Sequence, residues 1–433
     1  MGASRQIVTL LAPICFYAAA HAQQALVIEG GTVFDGTGRV RPNSSILVRG
    51  DRIESIASSG ELSVPAGAQR IDARGKFVMP GMIDVHFHFN VRSDPRVSPS
   101  LPLLFLANGV TTLREIGNWI EEENKAWLSE VAAKGLPAPR LLFTGPTIDG
   151  RETALPDQSI VVFDENEARR AARRLMDEGA TSLKVYSKLP LGLLAAVVEE
   201  ASKRGVPVYG HLGIVDPRDA IRAGINGLCH TNMLIAAVLP PLQSEAFRQA
   251  VLRVPNPGSI EAWANVDPMG ERATALMELM KSHHINLDPT LALHEPVREG
   301  KGPAVRDQSF RNMTAFTVRY HRAGGLVTVG SHGKAPYAEP GFAYLREMEI
   351  LAEAGMPASD VLVAATRSAA EALRLKDRGV LAPGKLADVV LLDADPIANI
   401  ANAGKVHAVI LGGKILDRAA LLAAAPRMAG SNR

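Results

Sequence analysis

Short apolar or alternating runs recur through the middle of the chain, and longer amphipathic stretches fall between them. The pattern predicts strands at 82–89 (MIDVHFHF), 109–116 (GVTTLREI), 140–145 (RLLFTG), 181–187 (TSLKVYS), 206–211 (VPVYGH), 224–230 (GINGLCH), 285–293 (INLDPTLAL) and 326–331 (LVTVGS). ENEARRAARRLMDEG and LGLLAAVVEEASKRG carry the helical period between them. Strands alternating with helices over 81–379 predict a (β/α)8 TIM barrel, a fold of about 250 residues. A doubly wound open sheet is the competing architecture, but no glycine-rich phosphate loop follows the first strand.

The flanks have a different rhythm. Residues 23–80 break into short β-rich runs punctuated by Gly, Asn and Asp, which reads as a small antiparallel sheet, and 380–425 repeat the pattern. Two such flanks around a long α/β middle predict one discontinuous β-sandwich domain built from both ends of the chain. The segment 231–280, with its LPPL and VPNPGS turns, reads equally as a lid or as a structural excursion.

The first residues, MGASRQIVTLLAPICFYAAAHAQQA, combine a positive Arg5, an apolar run from Ile7 to Ala20 and a small-x-small site at Ala20-His21-Ala22. That is the pattern of an export signal over 1–22, so the expected location is periplasmic or secreted. The run is short and broken by Pro13, and no membrane span is expected in the mature chain. Cys15 would leave with the signal. Cys229 then has no partner for an internal disulfide and reads as buried packing. The net charge of +2, the absence of a Lys/Arg stripe and an aromatic content of 5% speak against nucleic acid as a partner. A small-molecule substrate is expected, and a homo-oligomer is left open.

Candidate chemistry collects at strand ends. His86 and His88 are two apart, which on a strand puts both imidazoles on one face. The pair is half a metal site or two polar residues at a barrel rim. Lys184 lies inside TSLKVYS, where a buried ammonium is costly. Either it snorkels to the barrel mouth, or it is a neutral amine able to capture carbon dioxide as a carbamate. His211 and His230 end the next two strands, on the face that carries active sites in barrels of this kind. His294 follows the seventh strand as a possible substrate contact, while His283, His284, His321 and His407 read as surface, helix or flank residues.

With PGMIDVHFHF, Lys184, His211, His230 and RGVLAPGKLADVVLLDADP in place, the chain resembles the amidohydrolase superfamily over nearly the whole mature chain. GVTTLRE and AATRSAAEAL resemble its imidazolonepropionase-like and prolidase-like members. The resemblance implies two divalent metal ions, zinc foremost. His86 and His88 would hold the buried ion, His211 and His230 the exposed one, and a carboxylated Lys184 would bridge them. It implies hydrolysis of a C–N bond (an amide, dipeptide or cyclic amide) by a metal-held hydroxide.

One position departs from the pattern. Most members end the eighth strand in an aspartate that binds metal and carries the proton, whereas this chain reads Gly330-Ser331-His332. Three consequences follow from His332 as the candidate catalytic residue. It ligates metal and shuttles the proton itself, or another acid (Glu295, Asp288 or Glu339) supplies the path, or the barrel performs different chemistry. The last option covers a metal-dependent decarboxylase or isomerase and an inactive binder. A smaller departure is Glu115, where members often carry Asp.

Overall fold

The computed structural model of the chain describes residues 25–88, 101–117, 121–254, 257–296 and 304–424. The export signal expected over 1–22 lies outside the described residues. Eight parallel strands follow one another around a barrel: Met82–Phe87, Val110–Gly117, Arg140–Asp149, Leu183–Val185, Val208–Gly210, Gly227–Cys229, Asn286–Asp288 and Leu326–Val327. They coincide with the eight expected runs, most of them shorter because the last residues of each run already turn into the mouth. Closure comes from the last strand region meeting the first. Val85 N donates to Val329 O at 3.2 Å, and His332 N donates to His86 O at 2.6 Å.

The helices follow from their apolar spacing. In Glu165–Asp177 the buried residues are Ala168, Ala171, Ala172, Leu175 and Met176, a stripe at i, i+3, i+4, i+7 and i+8. Asp164 starts that helix by accepting from Glu167 N at 2.8 Å. It packs beside Leu191–Ser202, the second expected helix. The segment 231–280 is a packed helical excursion, including Ile235–Val238, Pro241–Val251 and Glu271–Ser282. Trp263 anchors it, fully buried with Nε1 donating to Asn232 O at 3.1 Å.

Both ends of the chain meet in one flanking sheet, in the order Lys414–Ile415, Val406–Leu411, Val389–Leu392, Phe77–Pro80, Ala25–Phe34, Val40–Arg49, Arg52–Ser58. The sheet is mixed, since Gln69–Asp72 and Phe77–Pro80 both run parallel to Ala25–Phe34. The connection over 59–68 carries the chain back to the other side of Ala25–Phe34, so it returns in the same direction. Leu26, Ile28, Val33, Ile46, Val48, Val78, Val389 and Leu391 form the flank's own apolar cluster. A bidentate ion pair ties flank to barrel: Arg140 Nε and Nη2 donate to Asp388 Oδ2 and Oδ1 at 2.8 and 3.0 Å. No helix among the described residues is long and apolar enough to cross a membrane.

Candidate metal centre

Strand alternation puts Asp84, His86 and His88 on one face of the first barrel strand. Phe87, on the other face, packs edge-to-face on Phe105. His86 Nδ1 lies 2.5 Å from Asp288 Oδ2, so the imidazole donates there and its Nε2 carries the lone pair. His88 Nδ1 stands 4.0 Å from Glu115 Oε1, beyond hydrogen-bond reach, so nothing on that side fixes its tautomer. The two Nε2 atoms are turned toward each other, 3.2 Å apart. At that distance the two nitrogens share a proton, or, with the His88 proton on Nδ1, offer two lone pairs to one cation. The separation also suits two imidazoles sharing one ion at bonds of about 2.0–2.1 Å. Burial, reinforced by the surrounding imidazoles and Lys184, pushes His86, His88 and His230 well below the ordinary imidazole value. They are neutral, the form that ligates metal.

The other expected residues gather around this pair. The His230 ring lies 4.6 Å from that of His86 and 4.8 Å from that of His211. His230 Nδ1 is 2.6 Å from Thr290 Oγ1, which fixes the ring. Lys184 is 2% exposed, and its Nζ has no hydrogen-bond partner among the described residues. The snorkelling alternative therefore does not describe it. His332 faces inward, its ring 4.3 Å from His88, 5.2 Å from His86 and 5.6 Å from His230. One ring nitrogen each from His86, His230 and His332 lies within 4.8 Å of the others. A second such group joins His86, Cys229 and Asp288. His230, Thr290 and His332 all have positive φ (66°, 48° and 59°), and such strained non-glycine residues concentrate at functional sites.

Of the acids considered as replacements on the proton path, Asp288 alone touches the imidazoles. Glu295 is held by Arg346 at 2.9 and 3.0 Å, and Glu339 is exposed. His294 is partly exposed, and burial of its ring holds it down to about 4. His283, His284 and His407 are exposed, and His321 pairs with Asp360 at 3.0 Å.

Sequence reasoning missed the supporting residues. Asp84 accepts from His86 N (2.9 Å), Ser331 N (3.1 Å) and Ser331 Oγ (2.5 Å), joining the first and eighth strands beneath the imidazoles. Burial pushes its carboxyl up to about 7. The same alternation that selected His86 and His88 also selects Asp84, so that signal was available. Arg114 is wholly buried, its Nε donating to Val85 O at 2.6 Å and its guanidinium 3.8 Å from the Tyr209 ring centre. Glu347 accepts from Leu291 N (2.9 Å) and Ala292 N (2.6 Å), holding the turn that follows Thr290. Nothing local in the sequence marks Glu347.

The fold recurs in solved structures. A putative prolidase from Bifidobacterium longum superposes with a TM-score of 0.70 at 23% identity, covering 93% of this chain and 99% of that one. A molinate hydrolase superposes with a TM-score of 0.71 at 18% identity, covering 95% and 100%. Among curated proteins, an N-acyl-D-glutamate deacylase of Alcaligenes xylosoxydans xylosoxydans is 48% identical over 63 residues, 14% of this chain and 12% of that one. The chain spans 12% to 39% of the length of such curated relatives. The amidohydrolase family profile matches residues 77–416, which takes in the whole barrel and the seam of the flanking sheet. The chain belongs to the amidohydrolase family.

Proposed function

We propose that this protein is a metal-dependent hydrolase of C–N bonds that acts on a small amide, dipeptide or cyclic amide. The observation that carries the reading is the pair of neutral imidazoles with Nε2 atoms 3.2 Å apart, the His86 ring set by Asp288, and the His230 and His332 nitrogens gathered beside them. An all-nitrogen donor set favours zinc. His86 and His88 would hold the inner ion and His211 and His230 an outer one, with a carboxylated Lys184 between them. A bound divalent ion supplies polarisation of a carbonyl and acidification of water. Lys184, buried with no carboxylate bonded to its Nζ, gains a reason as a carbamate, because an anion between cations is stable where an ammonium is not. His332 would handle the proton. Burial holds it down to about 3, so its imidazole is neutral and open to an ion. Residues 1–22 support an exported enzyme.

The test is turnover of a panel of N-acyl amino acids, dipeptides and cyclic amides by protein stripped of metal and then reloaded with zinc. Hydrolysis that appears only on reloading supports the reading. A zinc-loaded protein that hydrolyses nothing in the panel returns the choice to a non-hydrolytic barrel enzyme or a binder, the alternatives that His332 raises.

A further inference from the structure

We infer that Asp288 is the positioning residue of this centre: it fixes the His86 imidazole and supplies, from the seventh strand, the negative charge that the tip of the eighth strand lacks. The inference rests on the metal-centre reading above. Asp288 is fully buried, with Oδ2 taking the His86 Nδ1 proton at 2.5 Å. Its backbone oxygen accepts from His230 N at 2.7 Å. One residue thus sets the ring of one candidate ligand and the main chain of another.

The neighbouring strand makes room for it. A Cβ at Gly330 would fall 2.2 Å from Asp288 Oδ1 and 2.7 Å from His86 Cβ. Gly330 is absent from the positive-φ glycines, so its backbone does not call for glycine; the space does. The sequence GSH therefore pairs an imidazole at the tip with an empty position two residues before it that admits a carboxylate from next door. Arg114 Nη2 stands 3.8 Å from the same Asp288 Oδ2 and favours its ionised form. The groups that converge on the centre from His86, His88, His230 and His332 are all uncharged donors. Even with an anionic Lys184, bound cations would leave the centre positive, and Asp288 is the carboxylate hydrogen-bonded to one of its imidazoles.

The residue acts through His86, so its replacement should weaken metal binding as loss of such a backing carboxylate does, about 10–100-fold. The experiment measures zinc affinity by competition with a chelator in wild type, Asp288→Asn, His332→Asp and the double variant. Asp288→Asn should lose about 10–100-fold in the wild-type background. With an anion installed by His332→Asp, the same change should cost less than about threefold. Gly330→Ala, whose methyl displaces the carboxylate, is the second route and should lose affinity in the same range. A wild type that binds no zinc overturns the metal-centre reading itself. Zinc binding that is equal in wild type and Asp288→Asn, or a loss of the same size in both backgrounds, overturns this inference alone. So does a thiolate-to-cobalt absorption band that vanishes in Cys229→Ser, because the ion would then sit in the deeper His86, Cys229, Asp288 trio and Asp288 would be a ligand.

Discussion

Glu347 offers a strong test of how the centre is held. Its side chain is fully buried and both oxygens accept main-chain protons, from Leu291 N at 2.9 Å and Ala292 N at 2.6 Å. Glu347→Ala removes both acceptors and leaves two buried N–H groups unpaired. Each orphan costs about 1–3 kcal/mol, so the expected loss is about 2–6 kcal/mol, measured as a shift of the denaturant midpoint of metal-free protein. Glu347→Gln keeps one acceptor and should lose about half as much. The pH dependence gives a second handle. Burial pushes the Glu347 carboxyl up to about 8 from an unfolded value of 4.5, so between those values the folded chain holds a proton that the unfolded chain releases. Its contribution to stability is fully present below about pH 4.5 and is lost as pH rises towards 8, by at most about 1.4 kcal/mol per pH unit. The Gln variant lacks this component, so the gap between wild type and Glu347→Gln should narrow as pH rises through that window. A Glu347→Ala protein within about 0.5 kcal/mol of wild type, with a pH profile parallel to it, would refute the reasoning.

Three further outcomes are expected. Lys184→Ala should lower the bound metal towards one ion or none; elemental analysis that still finds two ions removes the carbamate bridge. His332→Ala separates two roles, because lost turnover at unchanged zinc content marks a proton carrier, lost zinc marks a ligand, and retained rates with retained zinc move both roles elsewhere. Asp388→Ala breaks the clamp on Arg140 and the bond from Gly412 N at 2.8 Å, and thermal unfolding should report a loss of about 2–4 kcal/mol with unaltered kinetic constants.

The barrel was legible because each of its strands ends in a change of rhythm, from apolar alternation to turn residues, and the periodicity reports that directly. That His86, His88, Lys184, His211 and His230 gather at one end of the barrel was legible for a related reason: each stands in or at the end of an apolar run that becomes a barrel strand. The supporting residues were harder. Thr290 acts from a turn, Glu347 from a helix on the far side of that turn, and Arg114 from the barrel interior, so each is defined by a partner distant in sequence. Asp288 could be named from the sequence as one of three acids, while its contact with His86 depends on the space at Gly330, which only three-dimensional packing reveals. The flank's parallel pairings were missed because strand direction depends on where the chain crosses over, which periodicity does not encode.

The seam in which Phe77–Pro80 lies against Val389–Leu392, Met79 opposite Val390, bears on how the molecule assembles over time. The edge at Phe77–Pro80 has no mate until almost the whole polypeptide has been made, so the early flank must wait with its apolar side uncovered. The entropy of so long a closure rises by only about 0.6 kcal/mol per doubling of loop length, so it weighs little on the final equilibrium. It weighs on the route instead, because contacts distant in sequence slow folding. The zip between the two ends is then the natural last step of folding, and the interval before it closes is when an unpaired strand edge is open to another copy of the chain.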